Sequence, residues 1–263
     1  MSDDTYTHGH HDSVLRSHRW RTAENSCGYL LPRLTPGMRV LDVGCGPGTI
    51  TRDLAALVAP GQAIGIDRAG DIVAQARAEG AEGVHFQQAD VYRLPFGDDT
   101  FDVVHAHQLL QHLTRPVDAL REMRRVAGAH GLVAARDSIY GSFRWSPDSP
   151  ALEDWLDLYV AVTRRNDAEA DAGRYLKAWA REAGFANVEY TSSTWTFANP
   201  ETCRWWGDLW ADRATSSDFA SQAVDYGLAD AARLGRIADG WRAWADDPDA
   251  ALIILHGEVI ASG

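Results

Sequence analysis

The chain has 263 residues, of which 45% are apolar and 24% charged, and a net charge of −12. That length allows one large α/β domain with insertions or two smaller domains, and the composition excludes a disordered chain, a coiled coil and a fibrous repeat. The acidic balance argues against nonspecific attraction to nucleic acid or to an anionic membrane surface. Near the C-terminus the longest apolar run, Ala250 to Leu255, is too short to span a bilayer. The N-terminus is acidic and His-rich, with no apolar stretch of the kind a secretory signal needs. Cys27, Cys45 and Cys203 are an odd number at unrelated spacings, which reads as free thiols in a reducing cytoplasm.

The predicted elements alternate. A weakly helical stretch from Ser13 to Leu31 ends at Pro32 and Pro36-Gly37. A short apolar strand, Arg39–Val43, runs into Gly44-Cys45-Gly46-Pro47-Gly48, and a helix follows from Ile50 to Val58. A second strand, Ala63–Ile66, ends at Asp67, a helix covers Ile72–Glu79, and a third strand, Val84–Gln88, ends at Asp90. Phe101–Ala106 and Leu132–Ala135 are the fourth and fifth strands, with an amphipathic helix, Pro116–Val126, between them. Arg121, Arg124 and Arg125 sit on that helix as a solvated face. Apolar strands alternating with helices predict a parallel sheet covered on both faces. Val188–Phe197 and Ala251–Ile260 read as two further strands, antiparallel at the sheet edge, with helices across Pro200–Pro248. Of ten tryptophans, nine lie after residue 140, so an aliphatic, glycine-turned half precedes an aromatic, helical one.

The glycine loop carries most of the functional signal. Glycines at a strand end that opens a helix let a ligand approach the main chain closely. The spacing is Gly-x-Gly-x-Gly, and position 49 is Thr where a dinucleotide fingerprint requires glycine, which disfavours a nicotinamide cofactor. No Gly-Lys-Ser/Thr follows, so the loop is not a P-loop. Asp67 ends the next strand nineteen residues after Gly48, where a carboxylate can accept both ribose hydroxyls. Asp90, ending the third strand, is placed to meet an adenine amino group.

Leu41-Asp42-Val43-Gly44-Cys45-Gly46-Pro47-Gly48, Gly65-Ile66-Asp67, Asp90 through Leu94-Pro95-Phe96 to Phe101-Asp102-Val103-Val104, Leu110-Gln111-His112-Leu113 and the stretch Ala119–Val126 leading to Gly131 together carry a resemblance. They resemble class I S-adenosylmethionine-dependent methyltransferases of the ubiquinone/menaquinone-biosynthesis-like type, over about Met38 to Asp137. The resemblance implies a Rossmann-like sheet of seven strands, mostly parallel with the last antiparallel, helices on both faces and helical cap insertions. It implies S-adenosyl-L-methionine as cofactor and S-adenosyl-L-homocysteine as product. Asp42, Gly44, Cys45, Gly46 and Gly48 would meet the methionine end. Asp67, with Arg68 beside it, would hold the ribose. Asp90 and the Val91 backbone would meet adenine, and the main chain at His107 and Gln108 would lie under the methionine amino group. The family's Pro-Gly-Gly turn before the fifth strand is here Ala127-Gly128-Ala129-His130-Gly131, a structural departure.

An activated methyl donor needs mainly an aligned nucleophile and exclusion of water, with a general base for a hydroxyl or amine acceptor. Residues that could supply a base lie at the strand ends: His107 and Asp137 foremost, then His112 and Tyr140. His8, His10 and His11 form a histidine cluster without a clear further ligand, so no metal is expected. That segment, with Tyr6, His18 and Trp20, is expected to fold over the cofactor as a lid, as the family implies. The tryptophans bear on the acceptor. Trp206 and Trp210 are four apart and Trp241 and Trp244 three apart, so each pair shares a helix face. Such pairs serve as helix-docking core or as walls for a flat, greasy acceptor, and Trp20, His112, Tyr140, Trp145 and Trp206 are the acceptor-contact candidates. The division expected is a lid over 1–34, a cofactor-binding core over 35–140 and, over 141–263, the late strands with a Trp-rich cap. The function expected is methyl transfer to a small-molecule acceptor, with no nucleic acid or membrane partner, by a monomer or homodimer. Cofactor binding without transfer is the alternative.

Overall fold

The computed structural model describes residues 4–9 and 11–263, so His10 of the histidine cluster lies outside the described residues. The chain enters through two short helices, α1 (Asp12–Arg19) and α2 (Ala23–Ser26). The single helical stretch expected here breaks at Trp20–Thr22. Thr22 takes extended backbone, its hydroxyl accepts from Asn25 N at 3.2 Å, and the Asn25 side chain accepts from Thr22 N at 2.9 Å. This reciprocal cap starts a new helix.

The core then alternates as predicted: β1 (Arg39–Val43), α3 (Thr49–Val58), β2 (Gln62–Asp67), α4 (Gly70–Glu79), β3 (Val84–Gln88), β4 (Val103–His107), α5 (Pro116–Ala127) and β5 (Leu132–Ser138). These strands pair in parallel in the order β3-β2-β1-β4-β5. Side chains alternate across the sheet. Val40 and Val103 face Leu54 and Val58 of α3, whereas Leu41, Val43 and Val104 face Leu120 and Met123 of α5.

Beyond β5 come β6 (Arg144–Ser146), α6 (Pro150–Arg165), α7 (Leu176–Glu182), β7 (Asn187–Phe197), α8 (Pro200–Ser216), α9 (Asp218–Asp225), α10 (Ala231–Ala245) and β8 (Ala251–Ser262). β8 lies between β5 and β7, antiparallel to both. The sheet therefore has eight strands, one more than expected. The extra strand has a geometric cause. β8 has 12 residues and β5 only 7, and β6 pairs with the overhanging end, Arg144 opposite Ile253. The helical stretch from Pro200 resolves into three helices, α8 to α10, which pack with α6 around a second core. Trp155, Trp210 and Trp241 are fully buried there. Among the described residues no helix is long and apolar enough to cross a membrane.

Candidate active site

The loop after β1 is tied to its neighbour strand: Gly44 N and Cys45 N both donate to Ile66 O, at 2.8 and 2.9 Å. Gly46 and Gly48 have φ of +55° and +80°, where a side chain would strain the backbone. Gly48 caps α3, and a Cβ on it would strike the Phe86 ring. Asp67, ending β2, is braced from below. Its two carboxylate oxygens accept from Gly46 N and Ala69 N, each at 3.0 Å, and each keeps lone pairs for a further donor. Asp90 Oδ1 accepts from Tyr92 N at 2.9 Å.

Parallel register sets Asp42 of β1 beside His105 of β4. The Asp42 carboxylate accepts from His105 Nδ1 at 2.8 Å and from the Thr51 hydroxyl at 2.6 Å. Burial opposes protonation of His105, but Cys27, 3.3 Å away, and Asp42 outweigh it and hold its pKa up at about 10. Both Asp42 oxygens thus face protein partners, which locks strand β1 to β4 and α3 directly under the loop.

A cavity of about 420 Å³ opens over these strand ends. One part is walled by the loop, Asp67, Arg68, Ile72, Asp90 and Val91. The other is walled by Tyr6, His8, His112, Tyr140, Phe143, Trp206, Trp210 and Arg213. His107, Gln108, Ser138 and Trp195 lie along it too. Gln108 adopts φ +49°, and its amide is fixed on three sides. It accepts from Arg21 Nη2 at 2.6 Å and donates to Ser138 Oγ and His256 Nε2, both at 2.9 Å.

Unlike His105, the buried imidazoles on the cavity wall are neutral. Burial, then the Arg21 and Arg136 charges, push His107 well below its ordinary pKa, and neither ring nitrogen has a partner among the described residues. Burial, then Arg21, bring His112 down to about 3; its Nε2 lies 3.1 Å from the Gln111 amide nitrogen and its Nδ1 has no partner. His8 is lowered for the same first reason and is hydrogen-bonded through Nε2 to Tyr159 Oη at 3.0 Å. Tyr140 stacks on Tyr159 at 4.1 Å and on Phe143 at 4.6 Å.

The structure brings most of the predicted residues together and leaves four outside the wall. Gly48 is a packing position against Phe86. Asp137 is fully buried behind the wall, where Oδ1 accepts from Gln111 N at 3.1 Å, and burial raises its pKa to about 7. Trp20 packs on Trp195, Phe197 and Trp205, and Trp145, in β6, packs against the aromatic core. Trp206, Trp210, Trp241 and Trp244 are all core, and the first two also line the cavity, so the two readings of these pairs coexist.

Sequence reasoning missed Arg21, Gln111, Ser138, Trp195 and Arg213 as wall residues. A signal for one of them was present. Trp206, Trp210 and Arg213 are spaced by four and three, which sets a cation on an apolar helix face.

A family model described as a methyltransferase domain matches residues 34–189. An uncharacterized methyltransferase of Schizosaccharomyces pombe is 31% identical over 97% of this chain and 95% of its own length. A ubiquinone/menaquinone biosynthesis C-methyltransferase of Ectopseudomonas mendocina is 32% identical over 62% of this chain and 71% of its own. Among solved structures, the YcgJ protein of Bacillus subtilis superposes with a TM-score of 0.56 at 21% identity, covering 91% of this chain and 98% of that one. The phosphoethanolamine N-methyltransferase 2 of Haemonchus contortus, solved with S-adenosyl-L-methionine, gives 0.55 at 16% identity, over 89% of this chain and 51% of that one.

Proposed function

The chain belongs to the S-adenosylmethionine-dependent methyltransferases, and we propose that it methylates a small-molecule acceptor held in the aromatic part of the cavity. The observation that carries this reading is one continuous cavity joining the braced Asp67 and Asp90 carboxylates to walls of Tyr140, Phe143, Trp206 and Trp210. The wall residues fit the cofactor. Asp67 keeps free lone pairs for two ribose hydroxyls, Ile72, Ala89 and Val91 make an apolar slot for a purine, and Gly46 keeps the main chain open.

When bound, the cofactor supplies a sulfonium methyl that the acceptor's lone pair takes by in-line displacement, the C–S electron pair returning to sulfur as S-adenosylhomocysteine. The chain's own residues orient, exclude water and hold a proton. Asp42, on the cavity wall, also holds the loop in place through the β1–β4 lock, its oxygens accepting from His105 Nδ1 and the Thr51 hydroxyl. The loop backbone and Gln108, whose amide is fixed by Arg21, Ser138 and His256, line the place for that end. His107 is the base of choice: it is neutral, faces the cavity and carries two ring nitrogens without partners. Asp137 has no place in this scheme, and His112 and Tyr140 line the acceptor side.

The segment 1–34 serves as the lid, through its described residues. Asp4 accepts from Thr114 N at 2.8 Å and Tyr92 Oη at 3.1 Å, Tyr6, His8 and Arg21 line the cavity, and Thr49 Oγ1 donates to His18 O at 3.2 Å. Three free cysteines, two of them buried, fit a reducing cytoplasm, and the acidic composition fits neither nucleic acid nor membrane as partner.

The test is calorimetric titration with S-adenosylmethionine, S-adenosylhomocysteine and NADH. One-site binding of the two methionine nucleosides and none of NADH is expected; no nucleoside binding sinks the reading. With an acceptor in hand, His107→Gln should lower kcat by about 100-fold or more at unchanged cofactor affinity.

A further inference from the structure

Two arginines are fully buried among the described residues, and they differ in one respect. Arg136 has an acid: its Nε is 3.2 Å from Glu258 Oε1. Arg213, in α8, has none among the described residues. Among the described residues its hydrogen bonds all leave from Nη2, to Ser13 O at 3.2 Å, Val14 O at 3.5 Å and the Ser17 hydroxyl, and Nε has no partner. The acid next to it in sequence, Asp212, is turned to Arg16. A buried cation without an anion costs several kcal/mol of lost hydration. Burial accordingly lowers the Arg213 pKa to about 10, opposed most by the phenols Tyr140, Tyr6 and Tyr159.

The cavity around Arg213 is short of acceptors in a second way. Among the described residues the indole N–H groups of Trp206 and Trp210 are buried without partners, and the Arg213 guanidinium lies 5.0 Å over the Trp210 ring. The carboxylates of the wall stand in the other part: Asp67 and Asp90 at the strand ends, Asp42 under the loop, and Asp4 on Tyr92 and Thr114. Of the other cavity arginines, Arg21 is hydrogen-bonded to Gln108 and Arg68 stands beside Asp67 on the loop side.

On the methyltransferase reading above, we propose that Arg213, with the Trp206 and Trp210 indoles, forms an anion subsite. It holds the carboxylate, phenolate or enolate of a compact, flat acid as the methyl acceptor. The guanidinium pairs with the negative oxygen, the indole N–H groups complete its hydrogen bonds, and the stacked Tyr140 and Phe143 rings face the acceptor's plane. A neutral acceptor of the same shape leaves the guanidinium buried and unpaired, so the subsite discriminates by charge.

The test uses wild type, Arg213→Gln, Arg213→Lys and Ser17→Ala. Each is titrated with S-adenosylhomocysteine by calorimetry, then, saturated with it, with benzoate and with isosteric benzamide, followed by indole fluorescence. Wild type should prefer benzoate by about tenfold or more. Arg213→Gln should lose that preference, Arg213→Lys should keep part of it, and Ser17→Ala should retain it. Equal affinity of wild type for the two probes, or absence of benzoate binding, overturns the subsite. So does loss of preference in Ser17→Ala as complete as in Arg213→Gln, which would make Arg213 a tie for α1. Loss of S-adenosylhomocysteine affinity in Arg213→Gln would give this arginine to the cofactor carboxylate and overturn the proposal as well. Failure of wild type to bind S-adenosylhomocysteine at all removes the methyltransferase reading first, and the subsite with it.

Discussion

The two parts of the cavity are built on opposite plans. The loop part is made of main chain and of side chains at strand ends, within about 50 residues of sequence from Asp42 to Val91. Its geometry follows from the parallel sheet: each strand ends on the same side, so each terminal carboxylate arrives there. The aromatic part is made of side chains from four distant segments: Tyr6 and His8, His112, Tyr140 and Phe143, and the α8 face. Their meeting depends on tertiary packing, as between Ser17 and Arg213, 196 residues apart. The first plan keeps one shape for a constant ligand. The second can change its lining one side chain at a time while the sheet stays as it is.

The sharpest way to break this comparison is Trp210→Ala. The indole is fully buried between Trp155 and Trp241, so truncation should destabilise by about 3–5 kcal/mol. Affinity for S-adenosylhomocysteine should change little in the folded protein. Denaturant unfolding and calorimetry separate the two quantities; a large loss of nucleoside affinity would mean that the two parts are not independent. Asp67→Ala should do the converse. It should weaken S-adenosylhomocysteine by about 100-fold, the equivalent of losing two charge-assisted hydrogen bonds, with stability changed by about 1 kcal/mol.

A third variant, Asp137→Asn, probes the ground between the two parts. Burial raises the folded-state pKa of Asp137 from 3.8 to about 7. A raised folded pKa adds stability at low pH and loses it as pH climbs through that range. Wild type should therefore weaken between about pH 4 and 7, and the amide should not. Above pH 7 the variant should be the more stable by about 4 kcal/mol, about three pKa units' worth, the gap closing near pH 4. Thermal unfolding across pH reads this directly, and a constant gap would refute the assignment. The smallest effect belongs to Trp145→Phe. This residue packs outside the cavity, so stability should shift by about 1 kcal/mol and acceptor binding should stay as in wild type.

Legibility followed the same division. Gly44–Gly46, Asp67 and Asp90, all on the cavity wall, could be expected from local pattern, because strand, turn and helix register are local properties, whereas His107 and Gln108 were expected from the family resemblance. Asp42 was legible as a loop residue, but its partner His105 was not, because a histidine inside an apolar strand looks like packing until register sets it beside an acid. Trp20 and Trp145 were drawn to the acceptor by residue type alone, and the fold turns both away from the cavity wall. Arg21 carried no local mark of a site, and Arg213 carried only its place on the helix face of Trp206 and Trp210. Their meaning lies in which carboxylates are absent around them, and that is a property of the assembled cavity. The strand β6 went unseen because its three residues pair with an overhang that exists only once β8 outruns β5.

One small contact has a wider reach. The Phe86 ring of β3 occupies the room that a side chain would need at two separate glycines, Gly48 at the start of α3 and Gly65 in β2, where an added Cβ would come within 2.6 Å of the ring. Three positions on three elements thus behave as one steric locus. Any mutational path through them is order-dependent: Gly65→Ala is damaging beside phenylalanine and tolerable after Phe86→Leu. Homologous chains that carry alanine at the strand position should carry a smaller side chain at the ring position, an epistatic pair visible in an alignment without any structure at hand.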